Sequence, residues 1–170
     1  MRVVAGEAKG RKLQAPASRD IRPTSDRVRE AIFSSLESMD AVRGASVLDL
    51  FCGSGALGIE ALSRGAASAT FVDSDPSAIA AVRANLASTS LDGGEVVRAD
   101  AVRWLEGDAA FDLALVDPPY SFNGWDALFS RLHAKLVVAE SDRDLETPPG
   151  WLIVRRKRYG GTVVHLAASE

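Results

Sequence analysis

The sequence has little of what several protein classes require. Its single cysteine, Cys52, excludes an internal disulfide and a cysteine-rich zinc site, and it favours a reducing, cytoplasmic setting. Its two histidines, His133 and His165, are too few for a histidine-based metal centre, so we expect no metal. No apolar run approaches the roughly 20 residues that span a membrane, and residues 1–6 lack the hydrophobic stretch of a signal peptide. What remains is a soluble globular chain of 170 residues, long enough for one domain with a real core.

Charge is distributed unevenly along the chain, although the net charge is only -3. Residues 1–30 hold eight basic and four acidic side chains, and residues 155–158 add four consecutive positive charges. The segment 31–154 has eight basic and 18 acidic residues. Basic ends on an acidic body predict a polyanionic partner such as a nucleic acid, although a solvated charge run is the alternative. The predicted nucleic-acid contacts are Arg11, Lys12, Arg27, Arg29, Arg155, Arg156, Lys157 and Arg158.

The first 24 residues are expected to form a basic arm, and residues 25–170 a single globular unit. Within the arm, residues 2–5 and 11–13 are predicted to pair as a short hairpin turned at the glycines between them. A polar connection then ends at Arg22-Pro23-Thr24.

A helix should follow this connection. Thr24 or Ser25 can cap it, and apolar residues recur at helical spacing, at Val28, Ile32, Phe33 and Leu36. This amphipathic helix should pack on the body and leave Arg27 and Arg29 accessible.

Further along the chain, strands alternate with helices. The predicted strands are 47–51, 69–73, 95–98, 111–116 and 136–139. The predicted helices are 56–64, one that opens at Asp75-Pro76, and 126–132. Such alternation indicates a parallel sheet covered on both faces. After a polar loop, residues 151–154 and 162–166 are predicted to form a closing antiparallel hairpin, separated by the basic cluster 155–158 and Gly160-Gly161.

A glycine-rich loop follows the first of these strands. Gly53-Ser54-Gly55-Ala56-Leu57-Gly58 matches G-x-G-x-x-G, and Asp73 ends the next strand 20 residues after Gly53. Glycines let the backbone approach a ligand, the helix N-terminus offers unpaired amides, and Asp73 can bind two ribose hydroxyls. The pattern therefore predicts ribose recognition but leaves open what the ribose carries.

Three features favour S-adenosylmethionine over a nicotinamide dinucleotide. Asp49 lies four residues before Gly53, where its carboxylate can face a cationic amino-acid group or order the loop, but would repel a pyrophosphate. Asp100, followed by Ala101, ends the third strand, where a carboxylate can accept from an adenine amino group. The stretch 117–120 has no evident task in hydride transfer. The predicted cofactor-binding residues are Asp49, Gly53, Ser54, Gly55, Asp73, Asp100, Ala101 and Asp117.

Asp117-Pro118-Pro119-Tyr120 comes directly after the buried strand 111–116. A proline pair cannot continue a central strand, because proline lacks the amide hydrogen that the ladder needs. The chain must therefore leave the sheet here, with a carboxylate before the break and an aromatic ring after it. Taken alone, the stretch is also compatible with a turn in which Asp117 caps backbone amides.

With these residues in view, the sequence resembles class I S-adenosylmethionine-dependent methyltransferases of exocyclic amino groups, which carry an [Asp/Asn/Ser]-Pro-Pro-[Tyr/Phe/Trp] motif after the fourth strand. It is most similar to the bacterial small-subunit (16S) ribosomal RNA guanine-N2 methyltransferases. The stretch that points to this subgroup is Arg22-Pro23-Thr24-Ser25-Asp26-Arg27-Val28-Arg29-Glu30. The likeness also includes residues 2–6, 10–13, 49–65, 117–120 and, more loosely, 159–160, whereas 121–151 match poorly.

This resemblance implies a fold, a reaction and a partner. The fold is a Rossmann-like α/β structure with a mostly parallel seven-stranded sheet, helices on both faces, an antiparallel C-terminal hairpin and a short N-terminal extension. The catalytic residues are Asp117 and the Pro118 carbonyl, which accept the two N–H groups of the amine, and Tyr120, which stacks on the base. No metal is required, because a sulfonium is a good leaving group. The partner is ribosomal RNA or an assembling small subunit, and we expect a monomer.

Three other functions remain open. A DNA methyltransferase acting on adenine-N6 or cytosine-N4 would use the same motif, although the chain has no room for a separate DNA-reading domain. An NAD-dependent oxidoreductase shares the glycine pattern. A non-catalytic RNA-binding protein would bind RNA without needing Asp117.

Overall fold

A seven-stranded sheet forms the centre of the computed structural model, which describes residues 1–17 and 24–170. The strands are β1 (Ser46–Leu50), β2 (Ser68–Asp73), β3 (Gly94–Arg98), β4 (Ala110–Val116), β5 (His133–Ser141), β6 (Trp151–Tyr159) and β7 (Thr162–Ser169). Their order is β3-β2-β1-β4-β5-β7-β6, with β1 to β5 parallel and β6 and β7 antiparallel. The mostly parallel sheet with an antiparallel C-terminal hairpin is therefore confirmed.

Five helices of the described residues surround the sheet: α1 (Asp26–Ser38), α2 (Ala56–Ser63), α3 (Pro76–Thr89), α4 (Ala101–Trp104) and α5 (Trp125–Arg131). The predicted caps are confirmed, since the side chains of Ser25 and Asp75 accept from Val28 N–H and Ser77 N–H. Helix α4 was not predicted, because its four residues are too few to show a helical period. The polar connection predicted at Arg22-Pro23 falls outside the described residues.

The core has two apolar layers, one on each face of the sheet. One layer joins the sheet to α1, α2 and α3, and the other joins it to α4 and α5. Consecutive β4 residues alternate between them, with Leu113 and Leu115 in the first layer and Ala114 and Val116 in the second. Both faces of the sheet are therefore covered, as predicted. No helix within the described residues has the length and apolar character that crossing a bilayer demands.

The N-terminal arm packs against the body. Arg2 pairs with Lys12 in an antiparallel bridge, and Val3 N–H donates to the Arg11 carbonyl over 3.0 Å, which confirms a short hairpin. The buried carboxylate of Glu60, on α2, accepts from Val4 N–H over 2.8 Å and from Ala5 N–H over 3.0 Å. These bonds fix the arm to the helix that follows the glycine loop.

Strand β6 differs from its prediction. The basic cluster 155–158 lies inside this strand, because β6 continues to Tyr159 and the turn is made at Gly160 and Gly161. Strand β6 is an edge strand, and charged side chains on such a strand are common because they discourage pairing with other chains. The cluster is therefore part of the sheet and not a connecting turn.

Candidate active site

A cavity of about 880 Å³ opens where the carboxyl ends of β1, β4 and β5 meet. In open parallel sheets, ligands bind at this edge, at the point where the strand order reverses. That point lies between β1 and β4 here, because the chain runs outward from β1 to β3 on one side and from β4 onward on the other. Six of the predicted site residues line the cavity: Asp49, Gly53, Ser54, Asp117, Pro118 and Tyr120.

The glycine loop is shaped by positive φ angles and by two carboxylates. Gly53 and Gly55 have φ values of 54° and 80°, which favour glycine. Asp73 Oδ2 accepts from Gly53 N–H over 3.0 Å, and Asp49 Oδ2 accepts from Gly58 N–H over 2.9 Å. A side chain at Gly58 would not fit, since an added Cβ would lie 2.4 Å from Phe71 Cε1. The two aspartates therefore hold both ends of the loop from the strands below.

Asp49 is a buried acid within the cavity wall. Its side chain is only 1% exposed, and burial raises its pKa well above the ordinary value. The Gly58 N–H bond opposes this rise, while the charges of Asp117 and Asp73 add to it. A cationic ligand near Asp49 would restore its ionised form.

A second carboxyl group lies beside Asp117. Glu140, the second-last residue of β5, is 3% exposed and lines the same cavity. Thr24 Oγ1 lies 3.1 Å from Asp117 Oδ2 and 3.2 Å from Glu140 Oε2, so one hydroxyl connects the two acids. Burial, followed by the charge of Asp117, raises the pKa of Glu140 well above its ordinary value.

Glu140 was missed in the sequence, and so was Thr24 as a site residue. The predicted strand 136–139 ended one residue before Glu140, whereas β5 continues to Ser141. A signal for Glu140 was present in the sequence, because this acid directly follows the predicted apolar strand 136–139. That strand is the next one in the chain after the strand that precedes Asp117. The same signal had identified Asp117 itself.

The residues after Asp117 form the cavity mouth. Pro118 is buried, and Phe122 N–H donates to the Pro119 carbonyl over 2.9 Å, so the prolines lead into a tight turn. The Tyr120 hydroxyl lies 2.8 Å from Thr162 Oγ1, which ties the motif to the start of β7. The aromatic ring is therefore held at the cavity wall and not buried in the core.

The segment 121–151, which matched the resembled family poorly, supports this mouth. Arg143 donates to the carbonyls of Tyr120 over 3.4 Å and Phe122 over 3.1 Å. Phe122 in turn packs edge-to-face on Phe51 and Trp125, with ring centroids 5.1 Å and 5.2 Å away. The segment thus fixes the backbone that follows Asp117.

The cavity is acidic. Asp49, Asp117 and Glu140 line it, and its described lining contains no lysine, arginine or histidine. A pyrophosphate would meet three acids without a side-chain cation to neutralise it, whereas a ligand with positive charge would be stabilised. The charge of the lining therefore favours a cationic cofactor.

Four predicted cofactor residues are not among the described lining residues: Gly55, Asp73, Asp100 and Ala101. Gly55 faces α3, where an added Cβ would lie 2.4 Å from Val82 Cγ2. The exposed Asp100 caps α4, accepting from Arg103 N–H over 3.0 Å, and Ala101 is buried in the core. Both oxygens of Asp73 accept backbone N–H groups, from Gly53 and Asp75, but a carboxylate oxygen can accept more than one bond. Their contacts with a cofactor stay predictions.

One predicted nucleic-acid contact is wrong. Arg29 is fully buried, and its Nε donates to Glu60 Oε1 over 3.2 Å while Nη2 donates to the Arg2 carbonyl and to Asp26. Arg29 lies on the buried face of α1 with Ile32 and Phe33, whereas its charge had suggested an accessible position. The remaining predicted contacts at the N-terminal end are exposed, at Arg11, Lys12 and Arg27.

The basic cluster divides between the two faces of β6. Arg155 and Lys157 pair with Leu166 and Val164, and they line a small cleft with Ile32 of α1. Arg156 points to the opposite face, where Nη2 donates to the Leu145 carbonyl over 2.6 Å. Since side chains alternate along a strand, Arg158 shares the face of Arg156. All four side chains are exposed, but they do not form one patch.

Known proteins match this sequence over nearly its whole length. A family model described as Conserved hypothetical protein 95 matches residues 1–168. The sequence is 42% identical to YlbH of Bacillus subtilis (strain 168), provisionally named an rRNA methyltransferase, over 96% of this chain and 96% of that protein. It is 34% identical to Ribosomal RNA small subunit methyltransferase D of Escherichia coli (strain K12), over 97% of this chain and 87% of that protein.

Solved structures share the fold. The protein yhhF of Escherichia coli, provisionally described as a methyltransferase, superimposes with a TM-score of 0.88 at 33% identity, covering 100% of this chain and 98% of that one. A hypothetical protein of Thermus thermophilus gives a TM-score of 0.81 at 33% identity, with 98% of each chain covered.

Proposed function

This chain belongs to the family whose model it matches, and we propose that it methylates the exocyclic N2 amine of a guanine in small-subunit ribosomal RNA, with S-adenosylmethionine as methyl donor. The resemblance and the class I methyltransferase fold inferred from the sequence are confirmed by the family match and by relatives of at least 33% identity. The observation that carries the proposal is the position of Asp117, which lines one acidic cavity together with Asp49 and the glycine loop.

The cavity residues fit S-adenosylmethionine. Asp49 and Asp117 offer negative charge to a positively charged ligand, and Gly53 and Ser54 bring the loop backbone to the cavity surface. When bound, the cofactor supplies a methyl group on a sulfonium, which leaves without help from a metal. The acidic lining disfavours the pyrophosphate of NAD, so the oxidoreductase alternative fits less well.

Asp117 and its neighbours would activate the amine. The lone pair of an exocyclic amine is delocalised into the base, which makes it a poor nucleophile. Asp117 and the Pro118 carbonyl accept its two N–H groups, and Tyr120, anchored to Thr162, provides the stacking surface. Orientation and a positioned proton acceptor each contribute to the rate, the latter typically about 10²–10⁴-fold.

The RNA would approach across the basic residues around α1. The exposed Arg11, Lys12 and Arg27 lie on the arm and on α1, and Arg155 and Lys157 lie on the β6 face that meets α1. Tyr159 continues this face to the cavity lining. The target base must leave its stack to enter, which costs little in an RNA loop. Under this proposal the protein is a cytoplasmic monomer that acts on ribosomal RNA or on an assembling small subunit.

The test is to incubate the protein with labelled S-adenosylmethionine and small ribosomal subunits, free ribosomal RNA or DNA, and to identify the modified nucleoside by mass. We expect N2-methylguanosine in RNA, lost in Asp117→Ala and retained in Asp108→Ala, an exposed aspartate on a distant loop. Methylated adenine or cytosine in DNA would favour the DNA methyltransferase instead. Tight binding of NAD without S-adenosylmethionine would overturn the proposal.

A further inference from the structure

Asp117 and Glu140 both contact the hydroxyl of Thr24, and the number of protons shared by these three groups indicates how the two acids are protonated. Thr24 Oγ1 is within hydrogen-bond distance of Asp117 Oδ2 and of Glu140 Oε2. A hydroxyl has one proton and can donate only one of these bonds. The other contact is a full hydrogen bond when that carboxyl group carries a proton and donates it to Oγ1. The side chains of Glu140 and Asp117 also hydrogen-bond each other directly, which likewise requires a proton on one of the two acids. The geometry therefore calls for one proton on the two acids.

Burial indicates which acid holds this proton. Glu140 is 3% exposed, and its second oxygen, Oε1, has no hydrogen-bond partner among the described residues. Asp117 is more exposed, at the cavity wall. Ionising a buried carboxyl whose second oxygen has no donor is costly, so the proton belongs on Glu140 and the charge on Asp117. The raised pKa of Glu140 agrees with this assignment.

Among the described residues of the cavity lining, no lysine, arginine or histidine offers Glu140 a counter-ion. The titratable side chains in the described cavity lining are Asp49 from β1, Cys52 from the glycine loop, Asp117 after β4, and Tyr120 and Tyr159 at the mouth. On β7, Glu140 is opposite Val164, while His165 is paired with Ala139 and bonds to Leu145 N–H on the other side of the sheet. Met1, which carries the amine at the start of the chain, also lines the cavity.

We propose that Glu140 is a positioning residue for methyl transfer, which stays a neutral acid and, through Thr24, orients the carboxylate of Asp117 toward the amine. The inference rests on the proposed function for its kinetic consequence, but not for the protonation of Glu140. It assigns a task to a buried acid that the motif does not include.

The proton balance of the step follows. As the bond from nitrogen to the methyl carbon forms, the bond from that carbon to sulfur breaks and the sulfur keeps its electron pair. The nitrogen then releases one proton to Asp117. With Glu140 already protonated, the two acids then hold two protons and no charge, and Asp117 returns its proton to solvent as the methylated base leaves.

The first test reads protonation without any activity. Infrared spectra of the wild type and Glu140→Gln, compared near neutral pH, should differ by the carbonyl band of a carboxylic acid. The band should persist well above pH about 4.3, where an exposed glutamate ionises, and it should remain in Asp117→Asn. Subtracting the spectrum of Glu140→Gln from that of the wild type separates the carbonyl band of Glu140 from any band of Asp49, which both proteins share. Absence of the band would overturn the proposal, whatever the protein methylates.

The second test reads the pH profile of methylation. Glutamine imitates a neutral glutamic acid, so Glu140→Gln should retain most of the wild-type kcat and should lose the fall in activity that ionisation of Glu140 imposes on the wild type at alkaline pH. Glu140→Leu should lower kcat about 100-fold, the effect of a misplaced catalytic group, with an unchanged dissociation constant for S-adenosylmethionine. Thr24→Val should behave like Glu140→Leu, and Thr24→Ser should restore activity.

Two kinetic results would refute the inference. One is a Glu140→Gln variant as inactive as Glu140→Leu, since Glu140 would then act as an anion. The other is an unchanged alkaline limb in Glu140→Gln. Binding of S-adenosylmethionine shows whether Glu140→Leu is folded. If it is not, the pH profiles of Glu140→Gln and the wild type still decide whether Glu140 acts as a neutral acid. A wild type that methylates no RNA would refute the proposed function, while the infrared test would still decide the state of Glu140.

Discussion

The guanidinium of Arg29 and the carboxylate of Glu60 form an ion pair, with Nε and Oε1 3.2 Å apart and both side chains fully buried. Glu60 also accepts from Arg64 Nε over 2.9 Å and from the backbone of the N-terminal arm. One carboxylate of α2 therefore connects α1 and the arm to the helix that begins at the glycine loop.

Replacing Glu60 by glutamine should destabilise the protein strongly. The amide would place its own N–H groups against donors, and the buried Arg29 would keep only the half-exposed Asp26 as a counter-ion. Breaking a buried ion pair in this way costs about 3–5 kcal/mol, which chemical denaturation would measure.

The matched control for this change is Glu37→Gln. Glu37 Oε2 lies 3.3 Å from Arg64 Nη1, but the Glu37 side chain is 51% exposed. An exposed pair of this kind is worth about 0–1 kcal/mol. Equal losses in both variants would contradict a special role for the buried pair.

The burial of Arg29 could not be predicted from the local sequence. The periodicity of α1 was predicted from Val28, Ile32, Phe33 and Leu36, and Arg29 lies on the same helical face. A buried arginine is compatible with that face only if another element supplies a carboxylate, and Glu60 is 31 residues away in the chain. Local patterns do not reveal such a partner, so the charge alone suggested an exposed residue.

The parts of the site that could be predicted are those with a local physical signature. Glycines with positive φ, an acid at a strand end and a proline pair after a buried strand each constrain the backbone where they stand. Glu140 is also an acid at a strand end, but it lacks the proline pair that marks Asp117, and its burial depends on Asp117 and on Thr24, which is 116 residues away in the chain. Likewise, the division of the basic cluster depends on the register of β6 with β7, which includes a bulge between Ile153 and Arg155.

Substitution of Asp49 by asparagine should weaken the binding of S-adenosylmethionine. Asparagine can still accept from Gly58 N–H, but it offers no charge to a cationic ligand. A hydrogen bond to a charged group contributes about 1.5–3 kcal/mol, so the dissociation constant should rise about tenfold to a hundredfold. Calorimetric titration measures this, with the exposed Asp92→Asn as control. Equal affinity in the wild type and Asp49→Asn would exclude Asp49 from the cofactor site.

The same substitution should change how stability depends on pH. The ordinary pKa of the group is 3.8, and burial raises that of Asp49 well above it in the folded protein. Such an acid stabilises the fold below its ordinary pKa, and this contribution is lost as the pH rises through the folded value. Asp49→Asn should therefore gain stability relative to the wild type as the pH rises from acid to alkaline, measured by denaturation at each pH. A difference that is constant with pH would show that Asp49 is not protonated in the fold.

Gly58→Ala should destabilise the protein and disturb the glycine loop. The added Cβ would lie 2.4 Å from Phe71 Cε1 and 3.0 Å from Asp49 Oδ2, where the core is fully packed. Overpacking of this kind costs about 1–3 kcal/mol, and displacement of Asp49 should also weaken cofactor binding. Gly107→Ala is the control, because its Cβ would come no closer than 3.6 Å, to the Trp104 carbonyl. Thermal unfolding and titration of both variants provide the measurement.

The two faces of β6 should contribute unequally to RNA binding. Arg155 and Lys157 share their face with α1 and with Tyr159, whose ring lies 5.2 Å from Lys157 Nζ and which continues to the cavity. Arg156, by contrast, is held by the Leu145 carbonyl on the opposite face and has Asp144 3.9 Å away. The RNA that delivers a base to Asp117 should therefore contact the first pair.

The double variant Arg155→Ala, Lys157→Ala should weaken RNA binding for all sequences and reduce the slope of log K against log salt by about 1 for each phosphate contact removed. The matched double variant Arg156→Ala, Arg158→Ala removes the same charge from the same strand. If the RNA were held only by long-range attraction to the net charge, both double variants would lose the same affinity, because each removes two positive charges. Filter binding of ribosomal RNA over a range of salt concentrations distinguishes the two cases, and equal slopes would mean that the α1 face does not hold the RNA.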